Sequence, residues 1–505
     1  MLSKIFAAAV SGIEAVPVVI ETDIACGMPA FTVVGQPDVS VREARERIRS
    51  AVVNSGFSYP KTRIIINLSP ADIRKRGSHF DFAMAMGILA ASGQVFARDI
   101  GDFCFLGELS LDGSLQKTKG ILPMVMAAKR AGIKNAAVPA GNREEAMLVQ
   151  DMNIYPVRNL KEAVDFFNRK TDIKYDTGGI SSWKKTHYLC DFADVKGQEA
   201  AKRALMIAAA GGHGILMTGS PSTGKTMLAE RIPTVMPEMT ADEVLETTVI
   251  YSIAGLLPED GPVVSSRPFR QPHHTITQVG LTGGGNDVPR PGEITLAHNG
   301  VLFLDEVGEF NKSMIDSLRT PLEKKNISLT RKGITYIFPA DFMLVAATNP
   351  CKCGYAGDPF HPCTCTPREA EQYRNKLSGP ILERIDMHLY LQPVAYSALT
   401  EEEGLSSAEM KEEIERTREI QRKRYRGTGI FLNQQLSGKM LEKYCALGKD
   451  ENKLISDAYL RLNLNPRTLM RIKRVARTIA DLSESECIGV SHLTEALQYR
   501  EKRVY

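Results

Sequence analysis

The octapeptide Gly219-Ser220-Pro221-Ser222-Thr223-Gly224-Lys225-Thr226 constrains this chain more than any other segment. It fits G-x-x-x-x-G-K-[ST], with the apolar triplet Ile215-Leu216-Met217 before it and Met227-Leu228-Ala229-Glu230-Arg231 after it. The pattern predicts a buried strand, a glycine loop and a helix N-terminus, whose backbone N–H groups turn inward onto phosphate oxygens. Lys225 adds a point charge at the β- and γ-phosphates of a nucleoside triphosphate, and Thr226 a hydroxyl for Mg²⁺. The competing reading, a chance Gly-rich turn, does not account for the flanks.

Two further apolar runs belong with this loop. Gly300-Val301-Leu302-Phe303-Leu304-Asp305-Glu306 reads as a central strand of a parallel sheet ending in two carboxylates. Ligands of such sheets bind beyond the carboxyl ends of the strands. Asp305 then holds Mg²⁺, directly or through water, and Glu306 orients and deprotonates an attacking water. Phe342 to Thr348 is a second buried strand, ending at Asn349, which either hydrogen-bonds the γ-phosphate or the water, or caps a turn before Pro350.

Length suggests roughly three domains. A net charge of +4 is too small to establish nucleic-acid binding. No run approaches about 18 uncharged apolar residues, so no membrane span is expected. The patch Ile5 to Val10 is a poor leader peptide, since one Lys precedes it and Glu14 follows. Nine cysteines, an odd number, fit a reducing compartment better than a disulfide scaffold.

Residues 1–170 alternate short strands (Val16 to Glu21, Phe31 to Val34, Arg63 to Leu68) with helices (Arg42 to Asn54, Phe80 to Ser92), giving an α/β or α+β unit. Residues 171–190 read as a polar linker holding the lone Trp183, and 191–393 carry the nucleotide motifs. Residues 394–505 are helical in pattern, with segments near 399–426, 433–446, 451–461, 466–481 and 491–501, and are expected to form a lid beside the nucleotide.

Three features stand apart. The Gly/Pro-rich stretch 255–292 contains His273-His274, which lacks metal-ligand spacing and suits a structural or substrate-contacting role. Ile327 to Phe338 alternates around Gly333 as a hairpin, whose basic tip Arg331-Lys332 either grips phosphates or is merely solvated. Cys351, Cys353, Cys363 and Cys365 form two C-x-C arms that suit a closed tetrahedral Zn²⁺ site, with His361 as a substitute ligand and free thiols as the alternative.

With these residues in hand the chain resembles an AAA+ ATPase. The resemblance implies that Val195-Lys196-Gly197-Gln198 precedes the first helix lining the adenine pocket, that Asn349 is sensor 1, and that Arg384 in Ser378 to Asp386 is an arginine finger. Arg467, in Asn465-Pro466-Arg467, matches sensor 2. A finger acting in trans implies a ring of identical subunits. Glu293 to Gly300, the cysteines after Asn349-Pro350, and Val475 to Leu482 narrow the likeness to magnesium-chelatase-like proteins of the YifB/ComM type, over essentially the whole chain. That implies a hexameric, cytoplasmic, bacterial helicase or branch-migration factor on single-stranded or junction DNA. A metal-insertion chaperone is the alternative. The basic runs 467–477 and Arg422 to Arg426 would add to a DNA surface.

Leu106 to Gly113 and Ala127 to Ile133 resemble the Lon protease catalytic domain, a ribosomal-protein-like fold. The matching nucleophile position is His79, beside Ser78, and the matching base position is Leu122, near Lys119, so proteolysis is the least expected activity.

Overall fold

The computed structural model describes residues 2–96, 99–179, 188–258, 261–285, 288–377, 379–394 and 404–500. Trp183, Ser378 and the predicted helical start at 399 lie outside them.

The nucleotide motifs sit on a five-stranded, wholly parallel sheet. Its spatial order is Phe269–Arg270, Val301–Leu304, Met343–Thr348, Ile215–Gly219, Met387–Leu391. Val301–Leu304 and Met343–Thr348 are buried at every position. Continuous apolar runs of this kind are what a parallel sheet covered on both faces requires. Thr218 aligns with Thr348 on one side and Tyr390 on the other, so the phosphate loop leaves its strand level with Asn349.

The stretch 255–292 is less bare than its composition suggests. Phe269–Arg270 adds the outer strand beside Val301–Leu302, and Gln278–Thr282 forms a short helix. Arg270 clasps Glu293 through two hydrogen bonds, at 2.6 and 2.8 Å. The predicted hairpin is present as Asn326–Arg331 paired with Ile334–Pro339. Its two-residue loop, Lys332-Gly333, takes positive φ at both positions (49° and 81°), as the tight turn matching strand twist demands.

The first part of the chain builds an eight-stranded mixed sheet. The patch Ile5 to Val10 lies inside the strand Leu2–Ser11, which pairs antiparallel with Glu14–Ala25 along its whole length. The patch carries no alternation of its own to mark it as a strand. Asp38 caps the helix Val39–Asn54 by accepting from Val41 N–H at 2.9 Å. The front of the expected linker is not a linker: Asp176–Thr177 pairs with Asn153–Ile154, and Arg143 clasps Asp176 at 2.6 Å.

This sheet is joined to the nucleotide-binding part through the helix Ala241–Ala254. Val249 belongs to the same apolar core as Ile121, Val125 and Met152, with Leu245 and Ile253 at its margin. Buried Glu145 accepts from Ser252 Oγ at 2.6 Å, from Leu122 N–H at 3.0 Å and from Asn142 at 2.8 Å.

The helices Ser407–Arg424, Gly438–Tyr444, Lys449–Arg461, Pro466–Leu482 and Val490–Gln498 follow the predicted pattern. They have no core of their own: Met410, Ile414, Ile472 and Val475 share one with Ala204, Leu205 and Ile215. Among the described residues no helix is long and apolar enough to cross a membrane.

Candidate functional site

Lys225–Val235 is the helix that starts from the glycine loop, with Gly224 at its N-cap in the left-handed region (φ 86°). A side chain there would be strained, and the first N–H groups of the helix would lose their approach to a phosphate. Lys225 Nζ lies 2.7 Å from Gly219 O, 2.8 Å from Ser220 O and 3.2 Å from Asn349 Oδ1. Burial holds its ammonium below the usual value, while Asp305 and Glu306 pull the other way. Thr226 Oγ1 donates to Asp305 Oδ2 at 2.8 Å. The two residues expected to hold Mg²⁺ therefore meet, and Asn349, expected as sensor 1, meets Lys225.

Glu306 follows in the left-handed conformation (φ 47°), with its N–H on Asp305 Oδ1 at 2.9 Å. A non-glycine residue held there costs roughly 1–2 kcal/mol, a strain that gathers at sites of chemistry. Ser222 (φ 63°) within the loop is strained in the same sense. Thr223 closes the loop by donating to Ser220 O at 2.8 Å.

Val195 is buried in the core beneath the loop. The more direct contact in its segment is Gln198, whose amide donates to Thr223 O at 3.3 Å and Gln392 O at 3.1 Å. Its position just before the helix Glu199–Gly211 was the signal that could have singled it out.

Arg384 pairs with neither of its acidic sequence neighbours, Glu383 and Asp386. Its guanidinium reaches Glu323 and the Pro380 carbonyl. Arg467 is bound to Glu383 at 2.6 Å. Arg467 thus pairs with the residue next to Arg384 in the chain. The helix that carries Arg467 docks there: Arg471 donates to Leu382 O and Ile385 O, and Arg474 reaches Asp386 at 3.2 Å. His213 ties Asp386 to Thr478, at 2.8 Å each way.

The basic run 467–477 is mostly consumed internally, and the run Arg422 to Arg426 only in part. Arg471 and Arg477 are buried, and Arg477 binds Asp481 and the carbonyls of Ser485 and Glu486. Arg424 clasps buried Asp481, Tyr425 is core, and Arg422 pairs with Glu419 at 2.6 Å. Arg422, Lys423 and Arg426 stay exposed, whereas Arg471, Arg474 and Arg477 of the other run are spent on the protein's own acceptors. Composition does not show this difference, because a lysine- and arginine-rich helix looks the same in sequence whether its charges meet water or buried acceptors. The hairpin tip remains exposed at Lys332 and Gly333, with Arg331 donating to Gly285 O at 3.0 Å.

The positions matching the Lon protease pair bring no serine to a lysine. Ser78 hydrogen-bonds Glu108, and His79 is buried with Nε2 3.0 Å from Ala8 O. Leu122 is core, Lys119 runs beside Gly255, and the Lys75 ammonium is taken by Pro70 O. His273 and His274 pack ring against ring at 4.1 Å, and His273 turns to Thr275.

Cys351, Cys353, Cys363 and Cys365 converge, with every Sγ within 4.8 Å of the others. Three of the separations are 3.3, 3.5 and 3.7 Å, and all four thiols are free.

Three family profiles cover the chain: "Magnesium chelatase, subunit ChlI" at residues 191–399, "Subunit ChlI of Mg-chelatase" at 20–142, and "Magnesium chelatase, subunit ChlI C-terminal" at 404–500. The chain is 41% identical to competence protein ComM of Haemophilus influenzae, over 99% of this chain and 97% of that protein. It is 38% identical to the YifB protein of Escherichia coli, over 99% and 97%. A magnesium-chelatase 67 kDa subunit of Chlorobaculum tepidum is 25% identical over 170 residues, 32% of this chain and 23% of that one.

Proposed function

Because the chain belongs to the YifB/ComM family of magnesium-chelatase-like AAA+ proteins, we propose that it is an ATP-driven motor that acts on DNA as a ring of its own copies. The observation that carries this reading is the meeting of Lys225, Thr226, Asp305 and Asn349 at one edge of a parallel sheet. ATP lies over residues 219–226, and Lys225 leaves the carbonyls of Gly219 and Ser220 for the β- and γ-phosphates. Mg²⁺, held by Thr226 and Asp305, supplies charge neutralisation on the phosphate oxygens. Asn349 positions the attacking water, and Glu306 takes its proton.

Arg467 serves as sensor 2 on the helical lid, and Arg384 completes the site of a neighbouring protomer. A guanidinium delivered in this way is worth on the order of 10³–10⁵ in rate. The assembly is a ring, taken as a hexamer, and the compartment is the cytoplasm. The functional units are 1–170, a connecting stretch 171–190 whose front pairs with the first sheet, the ATPase 191–393 and the helical lid 394–505. The first keeps a Lon-protease-like fold without that enzyme's dyad and serves assembly or docking. The cysteine cluster is a structural Zn²⁺ site.

The DNA assignment rests on the exposed hairpin tip and on the competence designation of the Haemophilus relative. The preferred substrate is single-stranded or branched DNA in recombination or natural transformation. A remodelling role of the magnesium-chelatase type is the second reading, favoured by the partial match to the Chlorobaculum subunit. The deciding experiment measures ATP hydrolysis with and without single-stranded and four-way DNA, alongside strand displacement. Stimulation with displacement is expected. ATPase activity indifferent to every DNA overturns the motor on DNA, and silence towards ATP overturns the whole reading.

A further inference from the structure

The four cysteines lie immediately behind the phosphate loop. Cys351 follows Asn349-Pro350 directly, and the loop between the two C-x-C arms folds back onto residues 220 and 221. Gly354 (φ 90°) sits so close to Pro221 that a Cβ there would come within 2.8 Å of the proline ring. Asp358 faces the Ser220 side chain, which comes first among the groups that hold its carboxyl down at about 2. The same carboxylate accepts from Phe360 N–H at 2.8 Å and His361 N–H at 2.9 Å, and only 2% of its side chain is exposed. The His361 ring packs on Tyr355 at 4.9 Å. Ser220 is itself buried, and its carbonyl is one of the two that hold Lys225.

The thiols are arranged as ligands. A tetrahedral Zn²⁺ with four thiolates at about 2.3 Å sets its sulfurs about 3.8 Å apart. The separations of 3.3–3.7 Å are near that value and far beyond a disulfide. The backbone also turns towards the sulfurs: Cys353 N–H donates to Cys365 Sγ at 3.3 Å, and Cys353 Sγ accepts from the N–H groups of Tyr355 and Thr364. N–H···S bonds of this kind stabilise negative sulfur and orient it. His361 faces Tyr355 and Asp358, so it is not needed as a ligand.

We propose that Zn²⁺ bound by Cys351, Cys353, Cys363 and Cys365 fixes the 354–362 loop as a buttress for the phosphate loop, so that metal occupancy sets nucleotide affinity. The contacts Gly354–Pro221 and Asp358–Ser220 transmit the effect. Metal loss frees the two arms, withdraws Asp358 from Ser220 and leaves residues 219–224 without their backing. This rests on reading 219–226 as the nucleotide loop, and the test separates the two ideas.

The full chain, purified under reducing conditions, is analysed for metal by mass spectrometry and titrated with a fluorescent ATP analogue. One zinc per chain is expected. Cys363→Ser with Cys365→Ser should remove the metal and weaken the analogue about tenfold or more, the scale on which metal-site partners act. Because that variant can lose its fold, Asp358→Asn is the second arm: it should keep its zinc and still bind the analogue several-fold more weakly. Absence of zinc from the wild type, or iron in its place, overturns the metal assignment. Unchanged analogue binding by zinc-loaded Asp358→Asn overturns the buttress while leaving the nucleotide site intact. A wild type that holds zinc and binds no analogue overturns the nucleotide reading itself, and the buttress with it.

Discussion

Thr226, in the first turn of the helix Lys225–Val235, and Asp305, just past the strand Val301–Leu304, share a 2.8 Å hydrogen bond. The hydroxyl and the carboxylate are thereby held as a pair before any cation arrives. Asp305→Asn should keep the hydrogen bond yet raise the Mg²⁺ concentration needed for half-maximal hydrolysis by about tenfold or more. A Mg²⁺ titration of the ATPase rate checks this, and an unshifted midpoint would remove Asp305 from the metal site.

Glu306 has a different task from its neighbour, although the two carboxylates are adjacent in sequence. Glu306→Gln should leave ATP binding near wild type and lower kcat by about 10²–10⁴, the usual range for a lost general base. Single-turnover hydrolysis with bound-nucleotide analysis reads both quantities. Wild-type turnover in this variant would transfer the role elsewhere.

Arg384 is engaged with Glu323, and its neighbour Glu383 with Arg467. Arg384→Ala should abolish hydrolysis while sparing nucleotide affinity. Mixed with Lys225→Ala subunits, it should regain part of the wild-type rate, because each variant supplies what the other lacks. Absence of rescue at every mixing ratio would argue against a site shared between protomers.

The hairpin is the surface on which the DNA reading now depends. Arg331→Ala with Lys332→Ala should weaken single-stranded DNA binding and flatten its salt dependence, by about 0.7 in the log–log slope for each phosphate no longer neutralised. Binding isotherms at several salt concentrations test this. An unchanged slope would place the DNA-binding surface elsewhere on the molecule.

Acid stability follows from buried histidines. Burial lowers His79 and His388 to about 4. Between that value and about 6.5 the unfolded chain binds protons that the native state refuses, so stability falls as pH drops through this window. Asp81 opposes them at the lower end: burial raises it to about 6 despite its pairing with Arg47. The melting temperature should therefore fall from pH 6.5 towards 4, and His79→Gln should shallow the decline. A melting temperature constant over that range would contradict the assignment.

The parts of the site that were legible in sequence were those where one short segment fixes backbone and chemistry together. The phosphate loop needs its glycines for approach, and Val301 to Leu304 needs apolar side chains because both faces are covered. These constraints mark the sequence directly. Charge placement does not mark it. Arg471, Arg474 and Arg477 form a basic helix in sequence, yet their partners are carbonyls and carboxylates from Leu382, Gln434, Asp386 and Asp481. Asp481 lies one turn on in the same helix, but nothing local to the helix announces the other three acceptors. The strand Leu2–Ser11 was hidden for a related reason, since its identity rests on pairing with Glu14–Ala25 rather than on alternation. Asp358 was missed because its importance comes from Ser220, which lies in another part of the sequence.

The contact between Glu145 and Ser252, with Val249 sunk among Ile121 and Val125, makes the eight-stranded sheet a rigid outrigger of the helix Ala241–Ala254. A tilt of that helix would carry the whole sheet with it. Severing the chain between the two would lay bare a greasy seam on both fragments, so the pair is inherited as one working part.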